Sequence, residues 1–145
     1  MQISSRFTIA THVLIIIAIK SQESKVTSDF LAASVGVNPV IIRKTLSQLK
    51  KAELISVARG TGGTEIIKDL QDISLFDVYQ AVECLGKSGK LFSFHDNPNP
   101  NCPVGANIHE VLDQKLLDIQ LAMENQLRQT SLAQVVADAE ARIVK

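Results

Sequence analysis

Apolar residues recur at helical spacing through most of the chain. Between Arg6 and Ile19, the positions Ile9, Val13, Ile16 and Ile17 follow the i, i+4, i+7, i+8 rhythm of one helix face, and Lys20 closes the run. A second helix is predicted from Thr27 or Ser28, either of which can cap its free amides, with Phe30, Leu31 and Val35 turned inward and Gly36 at its end. A third begins at Asn38-Pro39, with Asn as cap and Pro at the first helical position, and runs to Lys51. The rhythm then changes. Leu54 to Ala58 and Thr64 to Lys68 have strand character and flank Arg59-Gly60-Thr61-Gly62-Gly63, which predicts a hairpin with a glycine-rich tip.

Beyond the hairpin, Phe76, Val78, Tyr79, Val82 and Leu85 make a short amphipathic helix that starts at Ser74, with Asp77 three residues on as in a capping box. Residues 86–106 are expected to be loop, because two Gly precede Leu91 and Pro98, Pro100 and Pro103 interrupt regular hydrogen bonding. The longest helix is expected over 107–129. Ile108, Leu112, Leu116, Ile119, Met123 and Leu127 recur there at spacings of three and four, with Leu117 and Leu121 widening the stripe. The terminal helix, 131–143, is too short to cover such a stripe, so a second copy of the chain is the expected cover, with Ile108, Leu112, Leu116, Ile119 and Met123 at the interface.

Spacing within 28–45 says more than the element order. Ala32 stands four residues before Gly36 and Ile42 six after it: a small residue lets two helices cross closely, Gly supplies a left-handed turn, and Ile42 locks the second helix on the first. That is a helix-turn-helix pattern. On the third helix Ile42, Leu46 and Leu49 form the buried stripe, which turns Val40, Lys44, Ser47 and Lys51 outward, with Arg43 and Lys50 on one flank and Gln48 on the other. A helix-turn-helix followed by a hairpin with Arg59 at its tip reads as a winged helix, the third helix sized for a major groove. A nucleotide phosphate loop is rejected at the same tip, since the glycines lead into Thr64-Glu65-Ile66-Ile67, a strand and not a helix.

The chain has 145 residues and no formal net charge, but the charges are segregated. Residues 1–68 hold nine basic and four acidic side chains, a net +5, and residues 69–145 hold six and eleven, a net −5. The first part is therefore expected to meet a polyanion and the second to do another job. Two cysteines, Cys84 and Cys102, are too few for a disulfide framework and point to a reducing cytoplasm. The longest apolar run, Val13–Ile19, has seven residues, far short of the roughly 20 of a membrane span. A secretory signal at the same place is disfavoured by Thr8, Thr11 and His12 and by the lack of a small-residue cleavage site.

The run Leu46-Ser47-Gln48-Leu49-Lys50-Lys51-Ala52-Glu53-Leu54-Ile55, the wing Arg59-Gly60-Thr61-Gly62-Gly63, the segment Asp72-Ile73-Ser74-Leu75 before a short helix, and a Cys-bearing loop before a long helix resemble the Rrf-type bacterial winged-helix regulators, relatives of the IscR, NsrR and CymR repressors. The resemblance covers essentially the whole chain. It implies a cytoplasmic homodimer whose long helices pair and whose winged helices face a pseudo-palindromic operator on double-stranded DNA. Cluster-bearing members of that family carry three Cys in the loop, whereas this loop offers Cys102 alone, with Gly105 at the position three further on. No cofactor is therefore expected, since a [2Fe–2S] cluster needs four protein ligands and Cys84, His95 and His109 would have to be recruited in an unusual arrangement. Arg43 stands where cluster-type members often show Glu, which implies a different operator.

The expected fold is thus mostly α with a small β-hairpin wing: a winged-helix DNA-binding domain over 1–68, then a dimerisation and sensing segment over 69–145. The expected DNA-contacting residues are Ser28, Asn38, Val40, Arg43, Lys44, Ser47, Lys51, Arg59 and Thr61. No metal site and no catalytic constellation is expected: the three His and the Ser residues form no nucleophile motif, and no paired carboxylates stand in a Gly-framed loop. The leading reading is a homodimeric DNA-binding repressor that answers a redox or small-molecule signal. The alternative is a winged-helix protein-interaction module that binds no DNA. Cys102, just before the long helix, is the candidate sensing thiol, because a helix N-terminus lowers a thiol pKa. A ligand bound between loop and long helix is equally compatible with the sequence.

Overall fold

The structure is a computed structural model that describes residues 4–59 and 63–143. Helix α1 (Arg6–Lys20) is the central strut of the core and buries Ala10, Val13, Leu14 and Ile17. Helix α2 (Ser28–Val35) is capped by the Thr27 hydroxyl, which accepts from the Phe30 amide, so Ser28 is the first helical residue and not the cap. It ends at Gly36, whose φ of 79° is left-handed backbone that favours glycine, and the Gly36 N–H donates to Ala32 O. Helix α3 (Pro39–Lys51) follows at once, capped by Asn38, whose Oδ1 accepts from Val40 N at 2.8 Å. Ala32 and Ile42 are both buried at the α2–α3 crossing, as the turn spacing requires.

Strands β1 (Ile55–Val57) and β2 (Thr64–Ile66) pair antiparallel in the register Ile55–Ile66, Ser56–Glu65, Val57–Thr64, and form the wing. A 3-10 turn (Leu70–Asp72) leads to α4 (Leu75–Ala81), where Ser74 and Asp77 close the expected capping box with bonds of 3.1 and 2.9 Å. The long α5 (Pro103–Arg128) packs on α4, and α6 (Leu132–Ile143) returns to α1. The Ser74 and Ser131 regions are tied together by Leu75 N donating to Thr130 O and Leu132 N donating to Ile73 O. One apolar core runs from Ala10 to Val136, so Ile73, Val78, Val82 and Leu132 share it with the three N-terminal helices across residue 68.

Three expectations need correction. Phe30 is 44% exposed, because Leu31, Ala32 and Val35 share the core side of α2 and, at about 100° per residue, position 30 falls roughly opposite them. Loop 86–106 ends early, at Cys102: Pro103 lacks an amide hydrogen that the first helical position does not use, so it opens α5 four residues before the expected start. The stripe of α5 is divided between two faces. Met123 and Leu127 pack against the chain's own core, Ile108, Leu112 and Leu116 are half-buried, and Ile119 is exposed.

Candidate nucleic-acid interface and sensing segment

The outward face of α3 is built by the burial of the other one. With Ile42, Thr45, Leu46 and Leu49 in the core, Val40, Arg43, Lys44, Ser47, Lys50 and Lys51 are all exposed. The helix carries no acidic residue, and among the described residues the ion pairs are Lys20–Glu23 and His109–Asp113, so none of the α3 cations is neutralised by a partner. Val40 is an apolar residue left 61% exposed at the first turn of α3. Asn38 spends its carbonyl on the cap, which leaves its amide hydrogens free to donate. Ile41, also exposed beside Val40, was not anticipated; it lies next to the predicted face, and only its position relative to buried Ile42 identifies it.

The wing is anchored at its base. Thr64 N and Thr64 Oγ1 both donate to Val26 O, at 3.0 and 3.1 Å, and Ala58 N donates to Gly63 O. A Cβ on Gly63 would stand 2.8 Å from Val26 N, so only glycine allows this approach. Arg59 is exposed beside the tip, on the same basic part of the chain as α3. Thr61 lies outside the described residues. Gly63→Ala is expected to lift the wing from the α1–α2 connection at a cost of about 1–3 kcal/mol. Thermal unfolding checks this; a melting temperature equal to that of the wild type would contradict it.

The two thiols occupy opposite environments. Cys84 is buried beyond α4, and burial pushes its pKa up to about 11, the nearby Arg6 guanidinium only partly offsetting this. Cys102 is partly exposed at the N-cap of α5, where the backbone amides of Gly105 and Val104 favour the thiolate and hold the pKa below the usual thiol value. Gly105 is required there: a Cβ would lie 2.6 Å from Asn99 O, whose carbonyl also accepts from Cys102 N at 3.1 Å. At neutral pH, iodoacetamide is expected to alkylate Cys102 faster than free cysteine and Cys84 far more slowly. Mass spectrometry of tryptic peptides reads both rates, and equal rates at the two sites would contradict the assignment.

His109, on α5, bonds Asp113 at 3.1 Å and lies under the Phe94 ring at 3.9 Å between centroids. Among the described residues no three His, Cys, Asp or Glu side chains converge as a metal site, and no helix is long and apolar enough to cross a membrane.

The chain matches the Rrf2 family, described as "Iron-dependent Transcriptional regulator", over residues 3–138. It is 43% identical over 134 residues to YwnA of Bacillus subtilis (strain 168), named "Putative HTH-type transcriptional regulator", covering 92% of this chain and 96% of that one. It is similar to a crystal structure titled as that of "a putative DNA binding protein", with 39% identity, a TM-score of 0.71, and coverage of 90% and 98%. The T. potens IscR structure shares the fold at 20% identity, with a TM-score of 0.69 over 98% of this chain and 90% of that one. These relatives are regulators and not enzymes, in keeping with the lack of a catalytic motif in the sequence. A family match that leaves out only the first two and last seven residues, on a winged-helix fold shared along the chain, makes this protein a member of the Rrf2 family of transcriptional regulators.

Proposed function

We propose that the protein is a homodimeric, cytoplasmic transcriptional repressor that reads a pseudo-palindromic operator, with α3 in the major groove and the wing on the phosphate backbone or minor groove. The observation that carries this reading is the unpaired basic face of α3, projecting beside a wing that carries Arg59. A helix face free of carboxylates suits a phosphate-lined groove, and Arg43 and Lys44 have the reach and donors to read guanine.

Dimerisation is supported by what α5 leaves uncovered. At 1.5 Å per residue the helix is about 39 Å long, and none of its residues is buried within the chain. Val104, Val111 and Ile119 are 69%, 52% and 51% exposed, with Ile108 on the same side; at about 100° per residue this face lies roughly a third of a turn from Met123 and Leu127. The interface we propose is thus centred on Val104, Ile108, Val111 and Ile119, with Leu112 at its margin, whereas Leu116 shares the direction of Met123 and Leu127 and lies outside it. Paired α5 helices would hold the two reading heads at one separation, which sets the half-site spacing.

We propose no iron–sulfur cluster. Cys84 is buried, Gly105 has no room for a ligating side chain, and His109 is committed to Phe94 and Asp113, so the donors present do not fit four-ligand coordination around Cys102. Cys102 is instead proposed as a redox-responsive thiol at the junction between loop and dimer helix.

The test is a DNA-binding titration across salt with Lys44→Ala and Arg59→Ala. Loss of a phosphate contact at Arg59 should lower affinity for all sequences and reduce the salt slope by about one, whereas Lys44→Ala should also change sequence preference. Unchanged binding in both variants would overturn the reading.

A further inference from the structure

A cavity of about 560 Å³ lies between the loop after α4 and the α5 face that points away from Val104, Val111 and Ile119. That is the size range of small-molecule sites. Its α5 side is formed by His109, Asp113, Leu116 and Leu117, and its loop side by Phe92 and Phe94. We propose that this cavity is the regulator's effector site and that it takes a small planar aromatic acid, a flat ring system bearing one carboxylate.

The lining specifies both parts of that ligand. Phe94 already stacks on His109, with centroids 3.9 Å apart and ring planes at 24°, and Phe92 is 39% exposed at the same opening. A flat ring inserted among Phe92, Phe94, Leu116 and Leu117 would remove apolar surface from water on both of its faces. The charge at the rim is Lys90, which no carboxylate pairs among the described residues, whereas the one acidic group of the lining, Asp113, is occupied by His109 Nδ1 at 3.1 Å. The free charge is positive, so the ligand's is negative. Ser93 adds a hydroxyl to the lining, whereas Ser88 Oγ is engaged with Leu85 O and Lys90 N.

The cavity is also connected to the reading head. Gln120, on its floor, donates from Nε2 to Gly89 O at 2.8 Å and accepts from Leu91 N at 3.0 Å, which pins the loop to α5. The same amide donates to Glu124 Oε2 at 3.0 Å, and that carboxylate accepts from Tyr79 Oη at 3.2 Å. Tyr79 is on α4, which packs against both α5 and α3. A ring that wedges the loop from α5 strains the Gln120 anchor and tilts α5 on α4, which displaces one α3 relative to its mate. Ligand binding is therefore expected to weaken DNA binding. This last step rests on the DNA-binding reading, whereas ligand binding itself does not.

The experiment uses the full-length chain and 2-naphthoate, with neutral 2-naphthalenemethanol as the uncharged control. Calorimetric titration is expected to show one saturable naphthoate site per chain. Loss of a charge-assisted contact in Lys90→Gln should weaken naphthoate about tenfold or more and leave the alcohol unchanged. Lys90 is exposed, so the variant folds as wild type does. Saturating naphthoate should lower wild-type DNA affinity severalfold, and Gln120→Ala, with the anchor already cut, should respond less. No saturable site, or equal loss of acid and alcohol in Lys90→Gln, would overturn the site; binding without any change in DNA affinity would overturn its role as effector. Naphthoate bound by a protein that fails to bind DNA would refute the proposed function and leave the site standing, so the two failures are distinct.

Discussion

Ile119→Asp is expected to turn the proposed dimer into monomers and, with it, to cost most of the affinity for a two-half-site operator. Ile119 is half exposed in the isolated chain, on the α5 face shared with Val104 and Val111, so the substitution removes nothing from the chain's own core. In the proposed dimer the same position would face the partner. A carboxylate brought there without a cation loses its hydration, and its counterpart in the other copy lies close by as a like charge, at a cost of several kcal/mol. Affinity for a two-half-site operator then falls towards that of one half-site, because the second reading head is no longer held at fixed distance from the first. Sedimentation checks the assembly and circular dichroism the fold. Met123→Asp provides the contrast: Met123 packs on the chain's own core, so its replacement should unfold the protein rather than dissociate it. A dimeric Ile119→Asp protein would move the interface elsewhere.

Arg43→Glu is expected to change which DNA is bound and not only how tightly. Arg43 is exposed on α3, one residue past buried Ile42, and among the described residues no acidic partner holds it. A guanidinium there reads guanine through two acceptors, whereas a carboxylate accepts from cytosine, so one position per half-site should lose or switch its preference at about 1–3 kcal/mol. On the proposed two-half-site operator the effect would appear twice. Sequencing of DNA selected from a random pool by each protein checks it. The same operator recovered by both, only more weakly by the variant, would limit Arg43 to backbone contact.

The helix-turn-helix and the exposed basic face of α3 were legible in the sequence because short-range chemistry determines them. Asn38 with Pro39 marks a helix start, Gly36 a left-handed turn, and Ile42, Leu46 and Leu49 define an inside that leaves the outside basic. Phe30 was misassigned for the same reason that periodicity usually works: a large apolar residue is expected inward. The close α2–α3 crossing instead needs small Ala32 on the core side next to Leu31. On α5, the spacings of three and four do not distinguish a face that packs on α4 from one left bare, since both are apolar; only the position of α4 separates Met123 from Ile119. The cavity had no sequence signal at all. It depends on Gln120 gripping Gly89 and Leu91 some thirty residues away, and on a loop whose course no local pattern predicts.

Whether α3 and the wing of the proposed dimer read DNA is decided by selection of wild-type binding sites from random duplex DNA. The expected result is enrichment of one pseudo-palindrome with half-site centres about one helical turn apart, lost in Lys44→Ala at matching positions of the two halves. Recovery of no enriched sequence by a correctly folded dimer, at low as at physiological salt, would contradict it and favour a winged helix that binds protein.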